Sequence, residues 1–514
     1  MHLLIVMAFG LVIWRTDQQP FSPPIQDATL SVAVVVLQIL LWWVAARGCS
    51  VYAIRRLGDQ ADGLDAAQHA YHRSSLVLRF FVFAGFAANL LLTRWPQLIE
   101  ELKPIPPWSG VADLITISPF MIGLVVLWHA MFPIERTLRG HVAGMRRWEG
   151  AGHVRVWTRR EYLSFNIRHH ILIVAAPMTI ILLTYRVCGH HRAGLVDMLL
   201  FPWIPDAILG LVAATVFVLS PVLLKSIWVT STLQDGPLRR RLERACERRG
   251  LRCRDILVWE SYGMMINAAV MGVFAPLRYV LLSDGLLEGL NEDEIEAVFG
   301  HEAGHVRQRH MQYFLLFAVV SVLLVCGVME AAVRLSTGAE PLLHLSETAI
   351  QGLGLGLMAL VWGIAFGWLS RRFERHADVC GAHCVSPGAA ACTEACGVHP
   401  SDDRPPARGH PICVTGAKVF VAALDRVAAL NGIPHEERSW RHSSIASRMR
   451  FLMAQAGDPA AAVAFHRLIR NVKRTLWATV TGGLLVTAVY CLWQPYYREV
   501  ILHNTVEPLS KLVR

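Results

Sequence analysis

Five uncharged apolar stretches, at residues 28–46, 114–134, 207–224, 348–370 and 475–497, dominate this chain. Each is close to the roughly 20 residues that a helix needs to cross a bilayer. Lipid offers no partner for a bare backbone N–H or C=O, so such stretches can only be helices. Weaker candidates lie at 76–93, with Arg79 inside, and at 171–185 and 313–329. The eight together, with 1–14 too short to count with them, predict a polytopic, mainly α chain. The composition agrees: 54% of the 514 residues are hydrophobic, which excludes an ordinary soluble protein. Before Arg15 there is neither a basic segment nor a small-residue cleavage site, so no cleaved signal peptide is expected.

The net charge of +10 sits mostly on arginine. Eight arginines crowd residues 136–168 and eight more crowd 239–254, whereas 335–347 have no Lys or Arg and 95–112 and 187–205 have one each. That alternation fits the span list and puts the basic side in the cytoplasm. Membrane lipids, and no nucleic acid, are therefore the expected partners of the basic surface. The expected organisation has five parts. A multi-span membrane domain covers 1–228, and 229–312 form the first polar half. A two-span hairpin follows at 313–370, then a second polar half at 371–474. The last span and tail occupy 475–514. The two polar halves are expected to fold together on the cytoplasmic side.

Eleven cysteines show no disulfide framework. The tight group Cys380, Cys384, Cys392, Cys396 and Cys413 has no ribbon or knuckle spacing. It reads as buried free thiols, with a second metal as the alternative. Residues 401–411, "SDDRPPARGHP", read as an exposed loop.

The chemistry concentrates in "VFGHEAGHVRQRH", residues 298–310. Residues 292–308 predict a helix capped by Asn291, with Glu292, Asp293 and Glu294 at its positive end. His301 and His305 then share a face one turn apart, as two zinc ligands on one helix must. Glu302 lies about 100° round from His301, near a metal without binding it, where a general base belongs. The plain alternative is a polar helix end with surface histidines. Gln308 and His310 lack the spacing for a third ligand. "SRRFERHAD", residues 370–378, supplies Glu374 to complete a two-His, one-Glu site, and Asp378 to accept the free N–H of one zinc histidine. Its alternative is the start of a basic juxtamembrane helix. His376 reads as a surface histidine, and His169, His170, His190 and His191 as interfacial. Arg79 would snorkel or line a cavity.

The order HExxH, two spans, ExxxAD resembles the integral-membrane zinc metallopeptidase family of HtpX-type proteases and CAAX prenyl proteases. "INAAVMG" (266–272), "YVLLSDGLLEGLNEDEIEAVFGHEAGH" (279–305) and "WRHSSIASRM" (440–449) are also similar to it, and the likeness covers about 255–450. It implies a zincin-like (gluzincin) metallopeptidase domain with a small β-sheet, holding one Zn2+ on His301, His305 and Glu374. Glu302 would be the base. Asn267 and Ala268 would lie on an edge strand that pairs with the substrate backbone. His442 and Arg448 would face the site and stabilise the oxyanion; otherwise they belong to a solvated helix start capped by Ser443 and Ser444. The activity implied is hydrolysis of peptide bonds in membrane or membrane-associated proteins at the cytoplasmic surface, in quality control. The chain would be a multi-pass protein of the cell membrane, the inner one if bacterial. Trimming of lipidated C-termini is the alternative within proteases. A catalytically inactive scaffold or transporter is the alternative outside them. A site-2-type protease fits less well, because the Asp284-Gly285 pair precedes the HExxH.

Overall fold

The computed structural model describes residues 1–17, 21–58, 63–102, 105–106, 109–148, 156–199, 201, 203–263, 265–337, 346–385, 412–437, 440 and 442–493. Two compact units emerge. One is built from residues 1–230 with 260–263, the other from 231–259 and 265–493. Among the described residues, seven helices are long and apolar enough to cross a membrane: Ala28–Leu57, Ala66–Leu92, Val111–His141, Arg159–His190, Ile204–Ile227, His310–Ser336 and Gly352–Cys384. The chain is thus a multi-pass membrane protein. Five of the eight sequence candidates fall inside these helices, and 76–93 and 348–370 overlap two others. The eighth, 475–497, begins on the helix Pro459–Trp493, whose residues 475–493 carry no charge, and its end at 494–497 lies outside the described residues.

The first unit contains α1 (His2–Asp17), α2 (Ala28–Gly58), α3 (Gly63–Leu92), α4 (Trp95–Glu100), α5 (Val111–Trp148), α6 (Arg159–Asn166), α7 (Ile173–His190), α8 (Arg192–Leu199) and α9 (Ile204–Ile227). A π-helical turn at Ile167–Leu172 joins α6 to α7. It turns His169 inward rather than to the interface expected for it. The ring is buried and stacks between Phe165 and Trp228, with centroids 3.9 and 5.3 Å away.

The second unit begins with β1 (Thr230–Thr232), α10 (Pro237–Arg249), β2 (Asp255–Trp259), β3 (Ala268–Met271), β4 (Tyr279–Ser283) and α11 (Asp284–Gly289). It continues through α12 (Glu292–Arg307), α13 (His310–Thr337), α14 (Glu347–Leu360), α15 (Gly367–Cys384), α16 (Val414–Asn431), α17 (Ile445–Gly457) and α18 (Pro459–Trp493). The four strands form one sheet in the order β1-β2-β4-β3. β2 and β4 run parallel with Ile256 opposite Val280; β3 and β4 run antiparallel with Ala269 opposite Leu281. The "YVLLS" strand is buried along its whole length, as a central strand covered on both faces should be. β3 is an edge.

Two apolar clusters hold this unit. Leu242, Ile256, Val280, Leu282, Ile295 and Phe299 pack α10, α11 and α12 onto the sheet. Phe373, Phe420, Leu424 and Leu452 pack α15, α16 and α17 together, with Ala297 of α12 against them. Phe299, Phe373 and Phe420 are almost wholly enclosed, and burial of each contributes roughly 1.5–3 kcal/mol. α12 borders both clusters, so its rotation is determined from two sides. α15 continues the second span of this unit through a π-helical turn at Val361–Phe366 and crosses 370/371 unbroken.

Candidate metal centre

α12 starts where the sequence placed its cap. The Asn291 side chain accepts from the Glu294 backbone at 2.9 Å, and the Asn291 backbone N–H donates to the Glu294 carboxylate at 3.0 Å. This reciprocal cap satisfies two of the orphan donors at the helix start. Arg241 of α10 donates to Glu296 at 2.6 Å, and Arg248 bonds to the same carboxylate.

On the opposite side of α12 the two imidazoles meet. His301 Nε2 and His305 Nε2 stand 3.3 Å apart. Glu374 Oε2 is 3.8 Å from the first and Glu374 Oε1 3.7 Å from the second. All three residues offer a ligand atom within 4.8 Å of the others. A tetrahedral ion with arms of about 2.0–2.1 Å has edges of roughly 3.3–3.4 Å, which the two imidazole nitrogens already match. The protons argue the same way. His301 Nδ1 lies 2.9 Å from Asp378 Oδ1, which places its N–H there and leaves a lone pair on Nε2. Two lone pairs and a carboxylate turned on one point fit a divalent cation. Burial holds His305 down at about 4, so it stays neutral and able to ligate near neutral pH.

Glu302 does not bind this point. The Val270 backbone of β3 hydrogen-bonds to its carboxylate, and burial pushes its pKa up to about 7. His442 is exposed and donates from Nδ1 to Glu374 Oε2 at 2.9 Å. Arg448, expected by resemblance to face the reacting carbonyl, is buried, and its Nε and Nη2 donate to Asp378 at 2.9 and 2.5 Å. Burial opposes the charged guanidinium, but Asp378 outweighs it and raises the pKa. Ser444 caps α17 by accepting from the Ser447 N–H. Asn267 is exposed and directly precedes β3, where it exchanges bonds of 3.0 Å with Ser283; Ala268 is buried as the first residue of the strand.

Three glycines let α12 and α15 approach closely enough for Glu374 to reach the histidines. A Cβ on Gly300 would lie 2.3 Å from the Cys384 Cβ, and one on Gly304 2.6 Å from the Cys380 Cβ. From the other side, a Cβ on Gly381 would lie 2.9 Å from the Ala297 carbonyl. The obstructing atoms are fixed to helix backbone and cannot rotate away. The spacing of Gly300 and Gly304, one turn apart, was the readable signal for this contact, and the sequence reading did not use it. Gly300→Ala is therefore expected to lose about 1–3 kcal/mol of stability despite the better helix propensity of alanine, and Cys384→Gly should restore part of it. Thermal unfolding of the purified variants measures both; a neutral Gly300→Ala would contradict the contact.

His376 corrects the expectation of a surface histidine. It is buried, with Nδ1 3.1 Å from Nε2 of His310, which is itself fully enclosed. Residues two apart on a helix diverge by about 200°, so His376 does point away from Glu374, but into the protein. Cys384 and Cys413 are buried free thiols; Cys392, Cys396 and the loop at 401–411 lie outside the described residues.

Residues 232–455 match the model of "Peptidase family M48". The chain is 32% identical over 142 residues to "Protease HtpX" of Xylella fastidiosa (strain 9a5c), covering 25% of this chain and 46% of that protein. It is 27% identical over 165 residues to "Protease HtpX" of Pseudomonas entomophila (strain L48), covering 31% and 54%. The matches thus span about half the length of these curated relatives. A crystal structure of S. mikatae Ste24p aligns with a TM-score of 0.39 at 15% identity, over 81% of this chain and 97% of that one. Residues 232–455, which hold the HExxH and ExxxAD motifs, are thus the part of this chain that is similar to peptidase family M48.

Proposed function

We propose that this chain is a zinc-dependent endopeptidase that hydrolyses peptide bonds of membrane or membrane-associated proteins. The observation that carries the reading is the convergence of His301, His305 and Glu374 on one point, with the Glu302 carboxylate beside it. Bound there, zinc would polarise the scissile carbonyl and acidify a water molecule. Glu302 is placed to accept a proton from an attacking water and to deliver it to the leaving amine. A carboxylate poised near neutral pH suits both transfers. Asp378 keeps His301 in the tautomer that presents Nε2, and Arg448 holds Asp378.

β3 supports a substrate-binding role for the segment at Asn267 and Ala268. It is an edge strand, and its own Val270 backbone touches the base. An extended peptide added along the free edge would pass beside Glu302 by main-chain bonds, largely regardless of side chain. His442 sits on the exposed side of the ligand Glu374, where a donor can meet the developing oxyanion. Arg448 is committed to Asp378, so its contribution to the oxyanion is through position rather than contact.

The centre lies where two spans of the second unit end. His305 is five residues before His310, where one candidate span starts, and Glu374 belongs to the helix that continues the other. That placement favours chains in, or emerging from, the bilayer as substrates, and general proteolysis of damaged membrane proteins as the task. The arginine-rich α10 in this unit supports a cytoplasmic orientation in a cell membrane.

The test is a cleavage assay on a model membrane protein with metal analysis. The purified full chain should carry one zinc and lose cleavage with a chelator, and His301→Ala should lose both zinc and cleavage. An inactive scaffold would show no chelator-sensitive cleavage at any zinc content.

A further inference from the structure

An imidazole that binds a metal through Nε2 keeps its proton on Nδ1, and that proton needs an acceptor. For His301 the acceptor is a carboxylate, Asp378. For His305 it is another imidazole: Nδ1 of His310 lies 3.0 Å from Nδ1 of His305. His310 is fully buried, and its ring stacks on Phe373 at 4.4 Å and 6°. A ring that accepts at Nδ1 carries its own proton on Nε2, and His310 Nε2 is 3.1 Å from Nδ1 of His376. His376 accepts there and carries its proton on Nε2 in turn. This assignment of protons satisfies both imidazole–imidazole contacts, and it leaves Nε2 of His305 free to ligate.

His376 also borders a cavity of about 200 Å3 lined by Gly300, Gly304, Cys380 and His466 among others. Gly300 and Gly304 lie about 100° round α12 from His301 and His305, on the side that faces α15. The row of imidazoles thus runs from the ligand face of α12 to a cavity beside it.

We propose that His310, held by His376, is the positioning residue that fixes the proton and ring orientation of His305. The centre then has one carboxylate-backed and one imidazole-backed histidine. This rests on the metal reading given above. A neutral acceptor suits the second position. Asp378 already adds a buried negative charge, balanced by Arg448, whereas a second carboxylate behind His305 would require a further cation.

The test uses the full chain in detergent, stripped of metal and titrated with zinc against a competing chelator. His310→Phe keeps the stacking on Phe373 but removes the acceptor, and should weaken zinc binding roughly 10–100-fold. His310→Asn places its amide oxygen where Nδ1 was and should stay within about threefold of the parent. His310→Gln reaches only the Nε2 position and should behave like the Phe variant. Because Asn and Gln disturb packing similarly, their difference reports the acceptor and not the fold. His376→Phe should weaken binding less than His310→Phe, and adding it to His310→Phe should cost nothing further. Equal zinc affinity in the Asn and Gln variants, an unchanged affinity in His310→Phe, or additive losses at 310 and 376 would each overturn the proposal. A parent chain that takes up no zinc would instead defeat the metal reading beneath it.

Discussion

Glu302→Gln is expected to slow peptide hydrolysis roughly 10²–10⁴-fold, the contribution of a positioned base, while zinc content stays at one per chain. Glutamine keeps the shape and can still hydrogen-bond, but it cannot carry the proton from water to amine. The metal should remain, because the residues placed to hold it are His301, His305 and Glu374 and not Glu302. The same substitution should leave the chain at least as stable at neutral pH. Burial raises Glu302 from an ordinary 4.5 to about 7, so the folded protein disfavours its ionised form. The sign follows from linkage: that cost is absent below the unfolded value near 4.5, grows as pH rises from there to the folded value near 7, and is constant above it. A stability gain in the Gln variant should therefore be seen at pH 8 and vanish near pH 4. Activity of the parent should fall on the acid side as Glu302 takes up a proton. Kinetics, metal analysis and melting curves at the two pH values check the set; loss of zinc in the Gln variant, or full activity, would defeat the role of base.

Arg448→Leu is expected to destabilise the fold by about 3–5 kcal/mol, because it leaves the fully buried Asp378 carboxylate without its cation. Zinc affinity should fall as well, since Asp378 holds the Nδ1–H of His301. A residue that only contacted the oxyanion would lower the turnover rate and leave melting temperature and zinc affinity where they were. The two outcomes separate cleanly. Combining Arg448→Leu with Asp378→Leu should cost less than the sum of the single changes, because no unpaired charge remains in the double variant. An Arg448→Leu protein that melts like the parent and binds zinc normally would show that the ion pair does not support the centre.

Much of the site was readable because it is local. His301, Glu302 and His305 occupy one helix, so spacing alone puts two ligands on a face and the base beside them. The Asn291 cap, with Glu294 as its return partner, is equally local. The pairing of Glu374 with the histidines was accessible only through the motif and its family likeness. Nothing in the spacing required an approach between helices some 70 residues apart. That approach depends on Gly300 and Gly304 meeting Cys384 and Cys380. His376 looked like a surface histidine because its neighbours in sequence are polar, and His310 was read only as lacking the spacing of a ligand. They are buried because Phe373, Phe465 and the start of α13 close over them.

From its residues alone this chain had to be a bundle of lipid-crossing helices with one water-facing region and a metal-binding helix in it. Hydrophobic length, helical period and capping are properties of neighbouring residues, and they act wherever the chain goes. Only the folded molecule decided that a carboxylate on α15 meets two imidazoles on α12, that Arg448 turns inward to Asp378, and that a second imidazole stands behind His305. Those contacts join parts of the chain distant in sequence, and they exist because close packing of helices at glycine faces leaves a buried polar group no partner except the ones brought to it.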